Sequence, residues 1–146
     1  MIRAFDHVSF TVADVEAAVR FWTEAFGFAL DSLGERGGPF LGEVVGIPGA
    51  RCRIAHLKGH GQHLEFIQYL EPAGAGRDPA PNDRLAAHVA FVTDDIAGAV
   101  ARVLAHGGRE QGRVTEVTSG PYKGAFAVYV RDPNGVIVEL YQPPPS

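Results

Sequence analysis

The segment His88–Val100, HVAFVTDDIAGAV, is written once already in the same chain, as HVSFTVADVEAAV over His7–Val19. The two share His7/His88, Val8/Val89, Phe10/Phe91, Asp14/Asp95, Ala18/Ala99 and Val19/Val100, with Ile96 standing for Val15. Agreement of that density marks an internal repeat. Its physical content is a strand and then a helix. Val8, Phe10 and Val12 alternate with His7, Ser9 and Thr11 as in a half-buried strand, so each histidine falls on the face turned away from the helix. Asp14 and Asp95 stand where N-cap carboxylates accept from free backbone N–H groups. Val15, Ala18, Val19, Trp22 and Phe26 then follow at helical spacing, as do Ile96, Ala99, Val100, Val103 and Leu104. Gly27 and Gly107 suit the left-handed residue that ends a helix.

The remainder of the chain is arranged around these two copies. Asp31–Ala50, DSLGERGGPFLGEVVGIPGA, is rich in glycine and lacks phosphate-binding spacing, which predicts a mobile loop covering a site. Arg51–Leu57 and His63–Leu70 predict strands joined through Lys58-Gly-His-Gly61 as a hairpin. Glu71–Asp83, EPAGAGRDPAPND, holds neither helix nor strand pattern and reads as the linker between a first module, 1–70, and a second, 84–146. The second module continues through a polar stretch, Arg109–Gly120, a strand, Gly124–Val130, the turn Asp132-Pro-Asn-Gly135 and a strand, Val136–Tyr141, stopped by Pro143, Pro144 and Pro145. Each module is strand, helix and then further strands: an α+β unit whose helix covers one face of its sheet.

Bulk properties exclude several functions. With 146 residues, 46% of them hydrophobic, the chain suits one domain or two small modules sharing a core. A formal charge of -4 and scattered Lys and Arg give no support to nucleic-acid or anionic-membrane binding. Cys52 is the one cysteine, so no intramolecular disulfide forms, and it is predicted to be a buried strand residue in a reducing compartment. Neither a membrane-length apolar run nor a signal-peptide core is present, and the expected location is the cytoplasm.

The chemistry sits where the repeat extends to the last strand of each module. His63-Leu-Glu-Phe-Ile-Gln68 lies over Ile137-Val-Glu-Leu-Tyr-Gln142, which places Glu65 on Glu139 and Gln68 on Gln142. A glutamate between Leu64 and Phe66, or between Val138 and Leu140, must point to the face opposite the helix, where burial without a partner is costly. Taken singly, strand histidines and glutamates are ordinary hydrogen-bonding residues. Two of each at matching positions form a ligand set, His7, Glu65, His88 and Glu139, for Zn, Ni, Co, Mn or Fe(II).

With the ending YVRDPNGVIVELYQ, these residues make the chain resemble the vicinal oxygen chelate superfamily, which includes glyoxalase I, methylmalonyl-CoA epimerase, extradiol dioxygenases, and fosfomycin and bleomycin resistance proteins. The resemblance covers nearly the whole chain. It implies two βαβββ modules curling into an incomplete barrel around a metal, a small-molecule substrate and a homodimer. The glyoxalase I ligand order, His, Glu, His, Glu, falls on His7, Glu65, His88 and Glu139. Epimerases of the superfamily usually carry Gln at the place of Glu65, so an acid there is a departure.

The resemblance implies a lyase or isomerase of glyoxalase or epimerase type. A divalent ion chelating two neighbouring substrate oxygens acidifies the adjacent C–H and stabilises the enediolate. Glu139 is then the expected base and Glu65 the acid-base group on the opposite side. An Fe(II) extradiol dioxygenase is the alternative, because Tyr129 precedes Glu139 as in that group's signature. The signature's histidine is missing, since Gly120, Pro121 and Tyr122 occupy its neighbourhood. A metal-free antibiotic- or ligand-binding protein of the bleomycin-resistance kind is the third reading. For substrate contacts the candidates are Arg53, His56, Tyr122, Lys123 and Tyr129, with Arg36 and Arg51 behind them; His60 and His63 are predicted to sit in solvent.

Overall fold

The computed structural model describes residues 1–145 and divides into two compact units, Met1–Arg77 and Asp78–Ser146. In the first, β1 (Val8–Thr11) leads into α1 (Val15–Glu24), β2 (Ala29–Arg36), α2 (Pro39–Val45), β3 (Arg51–Gly59) and β4 (Gln62–Glu71). The sheet order is β1-β4-β3-β2, with β1 parallel to β4 and the other pairs antiparallel. The second unit runs β5 (His88–Val92), α3 (Ile96–Ala105), β6 (Arg109–Glu110), β7 (Thr115–Glu116), β8 (Phe126–Arg131) and β9 (Ile137–Gln142). There β5 is parallel to β9, β9 pairs with β8, and the short β6 and β7 both pair with β8. Both units are therefore the expected α+β module, and each sheet is open.

The repeat is reproduced bond by bond. Val8 lies opposite Leu64, and Val89 lies opposite Val138. Asp14 accepts from the Ala17 N–H and Asp95 from the Gly98 N–H, both at 2.9 Å. The next donor inward is met from the last strand: Gln68 Oε1 accepts from the Val15 N–H at 3.2 Å, and Gln142 Oε1 from the Ile96 N–H at 2.8 Å. Each glutamine thus ties a helix N-terminus, whose amides have no intrahelical acceptor, to the strand beneath it. Gly27 and Gly107 take φ of 72° and 87°, and the following amides close on the carbonyls of Trp22 and Val103.

The helix faces carry the packing. In the first unit Val15, Ala18, Phe21 and Trp22 are buried on α1 with Phe28, Leu57, Leu64 and Phe66. Trp22 is fully buried, its ring 5.3 Å from Phe66 and 5.7 Å from Phe28. In the second unit Ile96, Val100 and Val103 of α3 are buried with Val128, Val130, Val138 and Leu140. Alternation along β4 and β9 puts the residues between these apolar ones on the other face.

Two expectations are corrected. Asp31–Ala50 is not a loop throughout: it contains most of β2 and all of α2. β2 is an edge strand exposed along much of its length, so hydrogen bonding to β3 defines it while its sequence lacks an apolar alternation. α2 starts on Pro39, ends on Gly46 in the left-handed region and buries none of its residues, which leaves no amphipathic signal. The polar stretch after α3 likewise holds the two short strands against β8. The hairpin appears as expected, with β3 and β4 turning through His60 and Gly61 at φ of 53° and 71°, the positive pair that a tight hairpin requires. The segment 72–87 contains neither helix nor strand.

Arg131-Asp-Pro-Asn-Gly135 proves to be a structural device. Asp132 is fully buried, and its Oδ1 accepts from the N–H groups of Asn134 and Val136 at 2.9 and 2.8 Å. Buried Arg131 donates to Gln111 Oε1 and to the carbonyls of Gly135 and Pro79 at 2.6–2.7 Å. Arg109 pairs with Asp78 nearby.

Because Gln68 and Gln142 do the same work in the two units, Gln68→Ala and Gln142→Ala are each expected to cost about 1–2 kcal/mol, the usual loss when a partly buried donor is left unpaired. Urea unfolding checks this, and a loss near zero at either position would mean that water replaces the side chain.

Candidate metal centre

In the first unit the register of the parallel pair decides which groups meet. Glu65 lies opposite Ser9 on β1 and opposite His56 on β3. Its neighbours Leu64 and Phe66 are buried on the helix side, so the carboxylate emerges on the other face, with its side chain only 12% exposed. His7, one residue before β1, brings Nε2 to 3.4 Å from Glu65 Oε1, and His56 brings Nε2 to 3.5 Å from Oε2. His7 Nδ1 is 2.5 Å from the carboxylate of Asp6. That hydrogen bond raises the His7 pKa above its ordinary value; burial opposes the rise and Glu65 adds to it. Hydrogen bonding to His7 holds the Asp6 carboxyl below its usual range, against a smaller effect of desolvation. With Nδ1 engaged by Asp6, Nε2 is the nitrogen turned toward Glu65, the arrangement by which an outer carboxylate orients a metal-binding imidazole.

The second unit repeats the essential pair. His88 opens β5, and its Nε2 is 3.2 Å from Glu139 Oε2. Tyr129 of β8 lies opposite Glu139, as His56 lies opposite Glu65. Its hydroxyl is 3.4 Å from His88 Nε2, and the two rings are 5.0 Å apart.

These donors fit a divalent ion. Ligand atoms each about 2.0–2.2 Å from one ion lie roughly 2.8–3.6 Å from their neighbours across octahedral and tetrahedral geometry. The His7–Glu65 and His88–Glu139 separations, 3.4 and 3.2 Å, fall in that interval. Imidazole and carboxylate together suit the borderline transition metals.

The other sequence candidates are distributed differently. Arg53 points to the helix side and pairs with Glu16 of α1 at 2.8 Å, away from the face that bears Glu65. Arg51 is engaged by Glu71 and Glu35 at 3.2 and 3.5 Å, and Arg36 donates to the Glu35 carbonyl. Tyr122 and Lys123 are exposed in the turn before β8. His60 reaches back to the Phe26 carbonyl at 2.7 Å. Cys52 is fully buried, and burial pushes its thiol pKa up, as a structural role requires.

His63 corrects the expectation of a solvated side chain. It is half-buried, and its Nε2 is 3.0 Å from His56 Nδ1. The signal was present in the sequence, since residue 63 precedes Glu65 by two and must share its face. Asp6 was overlooked as well, although its adjacency to His7 was visible.

Residues 4–140 match the Glyoxalase/Bleomycin resistance protein/Dioxygenase superfamily. The chain belongs to this superfamily. A 2-epi-5-epi-valiolone epimerase of Actinomyces sp is 31% identical over 97% of this chain and 80% of its own. A virulence protein of Salmonella typhimurium is 26% identical, with coverage of 97% and 85%. The crystal structure of a glyoxalase family protein from Bacillus cereus superposes with a TM-score of 0.84 at 22% identity, covering 99% and 97% of the two chains. At that identity the likeness establishes the superfamily's fold. Among the described residues no helix is long and apolar enough to cross a membrane.

The Asp6–His7 contact gives a pH-dependent expectation. The His7 contribution to stability is complete below the ordinary imidazole value of 6.5 and is lost as pH rises through the raised folded value. The Asp6 contribution is present above the ordinary 3.8 and is lost as pH falls through the lowered one, so the contact stabilises most between those two values. In metal-free protein, Asp6→Asn is expected to move the His7 titration, followed by NMR of its ring protons, to lower pH. An unchanged midpoint would show that Asp6 does not hold the ring.

Proposed function

We propose that the chain is a divalent-metal-dependent epimerase or isomerase acting at a carbon next to a carbonyl of a small molecule, with His7, Glu65, His88 and Glu139 as its metal ligands. The observation that carries this reading is the imidazole–carboxylate pair recurring at the same strand register in both units, at 3.4 and 3.2 Å. The epimerase relative, at 31% identity over nearly the whole chain, supports the reaction type.

The bound ion supplies Lewis acidity to the substrate oxygens, which makes the neighbouring C–H acidic. The chain's own groups carry the proton. Glu139 takes it from one face of the carbon onto a carboxylate oxygen, and Glu65, after leaving the ion and taking a proton from solvent, returns a proton to the opposite face. The C–H bond broken is replaced by a C–H bond of inverted configuration, and a proton has passed between the two acids by way of solvent. The low exposure of Glu65 suits that task, because a screened carboxylate delivers its proton to the carbon in preference to water.

A second reading, Fe(II)-dependent ring cleavage of a catechol, rests on the Tyr129 hydroxyl 3.4 Å from His88 Nε2. Oxygen uptake with catechols would favour it, and none would remove it.

The test is exchange in deuterium oxide, with 2-epi-5-epi-valiolone as first probe and related hydroxyketones after it. The metal-loaded protein is expected to wash out the proton next to the carbonyl and invert that centre, while chelator-stripped protein does neither. Glu139→Gln is expected to slow both processes by about 10²–10⁴-fold. Glu65→Gln is expected to keep exchange and lose inversion. Equal rates with and without metal would overturn the reading.

A further inference from the structure

We infer that Asp6, His7 and His63, with His56 beside them, form a second seat for a borderline transition-metal ion, confined to the first unit and sharing His7 with the four-donor set. The donor atoms of Asp6, His7 and His63 all lie within 4.8 Å of one another. The His7 ring centre is 5.3 Å from that of His63 and 6.1 Å from that of His56. His56 Nδ1 and His63 Nε2 face each other at 3.0 Å, the spacing of two donors on one ion.

The internal repeat provides the control. At the second-unit positions equivalent to Asp6, His56 and His63 stand Ala87, Tyr129 and Ile137, while His7 and Glu65 are matched by His88 and Glu139. The fold therefore does not call for imidazoles at 56 and 63 or a carboxylate at 6. These three are additions to a module that forms without them, and all gather around one ring.

His56 Nδ1 and His63 Nε2, 3.0 Å apart, share one hydrogen bond in the absence of an ion, and an ion on His63 would draw on the same lone pair. Two imidazole nitrogens and a carboxylate, with the His56 ring adjoining, match zinc, nickel, cobalt or copper and not the oxygen-seeking calcium or magnesium. Asp6 is exposed, so its carboxylate can turn from the His7 N–H toward an ion without disturbing the packing. His7 serves one seat at a time, using Nε2 toward Glu65 or Nδ1 toward Asp6 and His63. The two seats consequently exclude each other.

Cobalt(II) titration of the full chain, read by its visible absorption and by elemental analysis after desalting, tests the inference separately from the proposed function. Wild type, His63→Ala and the double variant His88→Ala/Glu139→Gln are each expected to bind one equivalent. Combining all three substitutions is expected to weaken binding at least 100-fold. Asp6→Asn in the double-variant background is expected to weaken it at least tenfold; its exposed side chain leaves the fold intact. Loss of binding in the folded double variant, checked by circular dichroism, would overturn the inference, as would tight binding by the triple variant. If His63→Ala alone loses the ion while the double variant keeps it, the second seat stands and the four-donor reading falls.

Discussion

In both units the first strand lies parallel to the last, and this pairing tolerates no slip. A displacement by one residue would turn Glu65 or Glu139 into the helix-side core and bring Leu64, Phe66, Val138 or Leu140 out of it. The apolar residues flanking each glutamate are buried against a helix, so the hydrophobic effect fixes the register. The register in turn sets each histidine beside its glutamate. Gln68 and Gln142 reinforce it by reaching from the last strand to the first helical amide. Placement of the donor groups on β4, β5 and β9 is therefore a by-product of core packing, with His7 one residue ahead of β1.

Duplication gives the units the same frame but not the same surroundings. Beyond the shared pair, the first unit surrounds Glu65 with imidazoles and the second sets Tyr129 beside His88. A phenol offers a hydrogen-bonding hydroxyl where an imidazole offers a lone pair. The two glutamates thus work in different company, which is the condition for two acids of one composition to play unlike parts.

Much of this was legible in the sequence because the repeat is strong where packing is strong. The strand and helix of each copy, the hairpin at His60-Gly61 and the paired His and Glu positions all follow from alternation, helical spacing and turn chemistry. β2 and α2 escaped for the opposite reason: an edge strand held by backbone bonds and a helix that buries nothing leave no periodic signal, even with Phe40 80% exposed on α2. His63 was misjudged because its closeness to the turn suggested solvent, whereas strand parity put it on the face of Glu65. The turn at Asp132–Gly135 was legible for the opposite reason, since its proline, asparagine and glycine mark it, and Asp132 and Arg131 spend their hydrogen bonds on that turn between β8 and β9 and on the chain that enters the unit.

Glu65 by itself favours a cation. A carboxylate with its side chain 12% exposed needs a compensating charge or several donors, because burial penalises the ionised form. Its ion-pair neighbours are His7 and His56, at 3.4 and 3.5 Å, both too long for strong hydrogen bonds. A neutral imidazole lends a carboxylate one N–H and no positive charge, and the Nδ1 of His7 is already engaged by Asp6 and that of His56 by His63. A divalent ion resolves both difficulties. It supplies the missing positive charge and uses the imidazole lone pairs. Placing Glu at 65 where an amide would give one negative charge fewer therefore favours a doubly charged ion at the first unit's surface over an empty cluster of imidazoles.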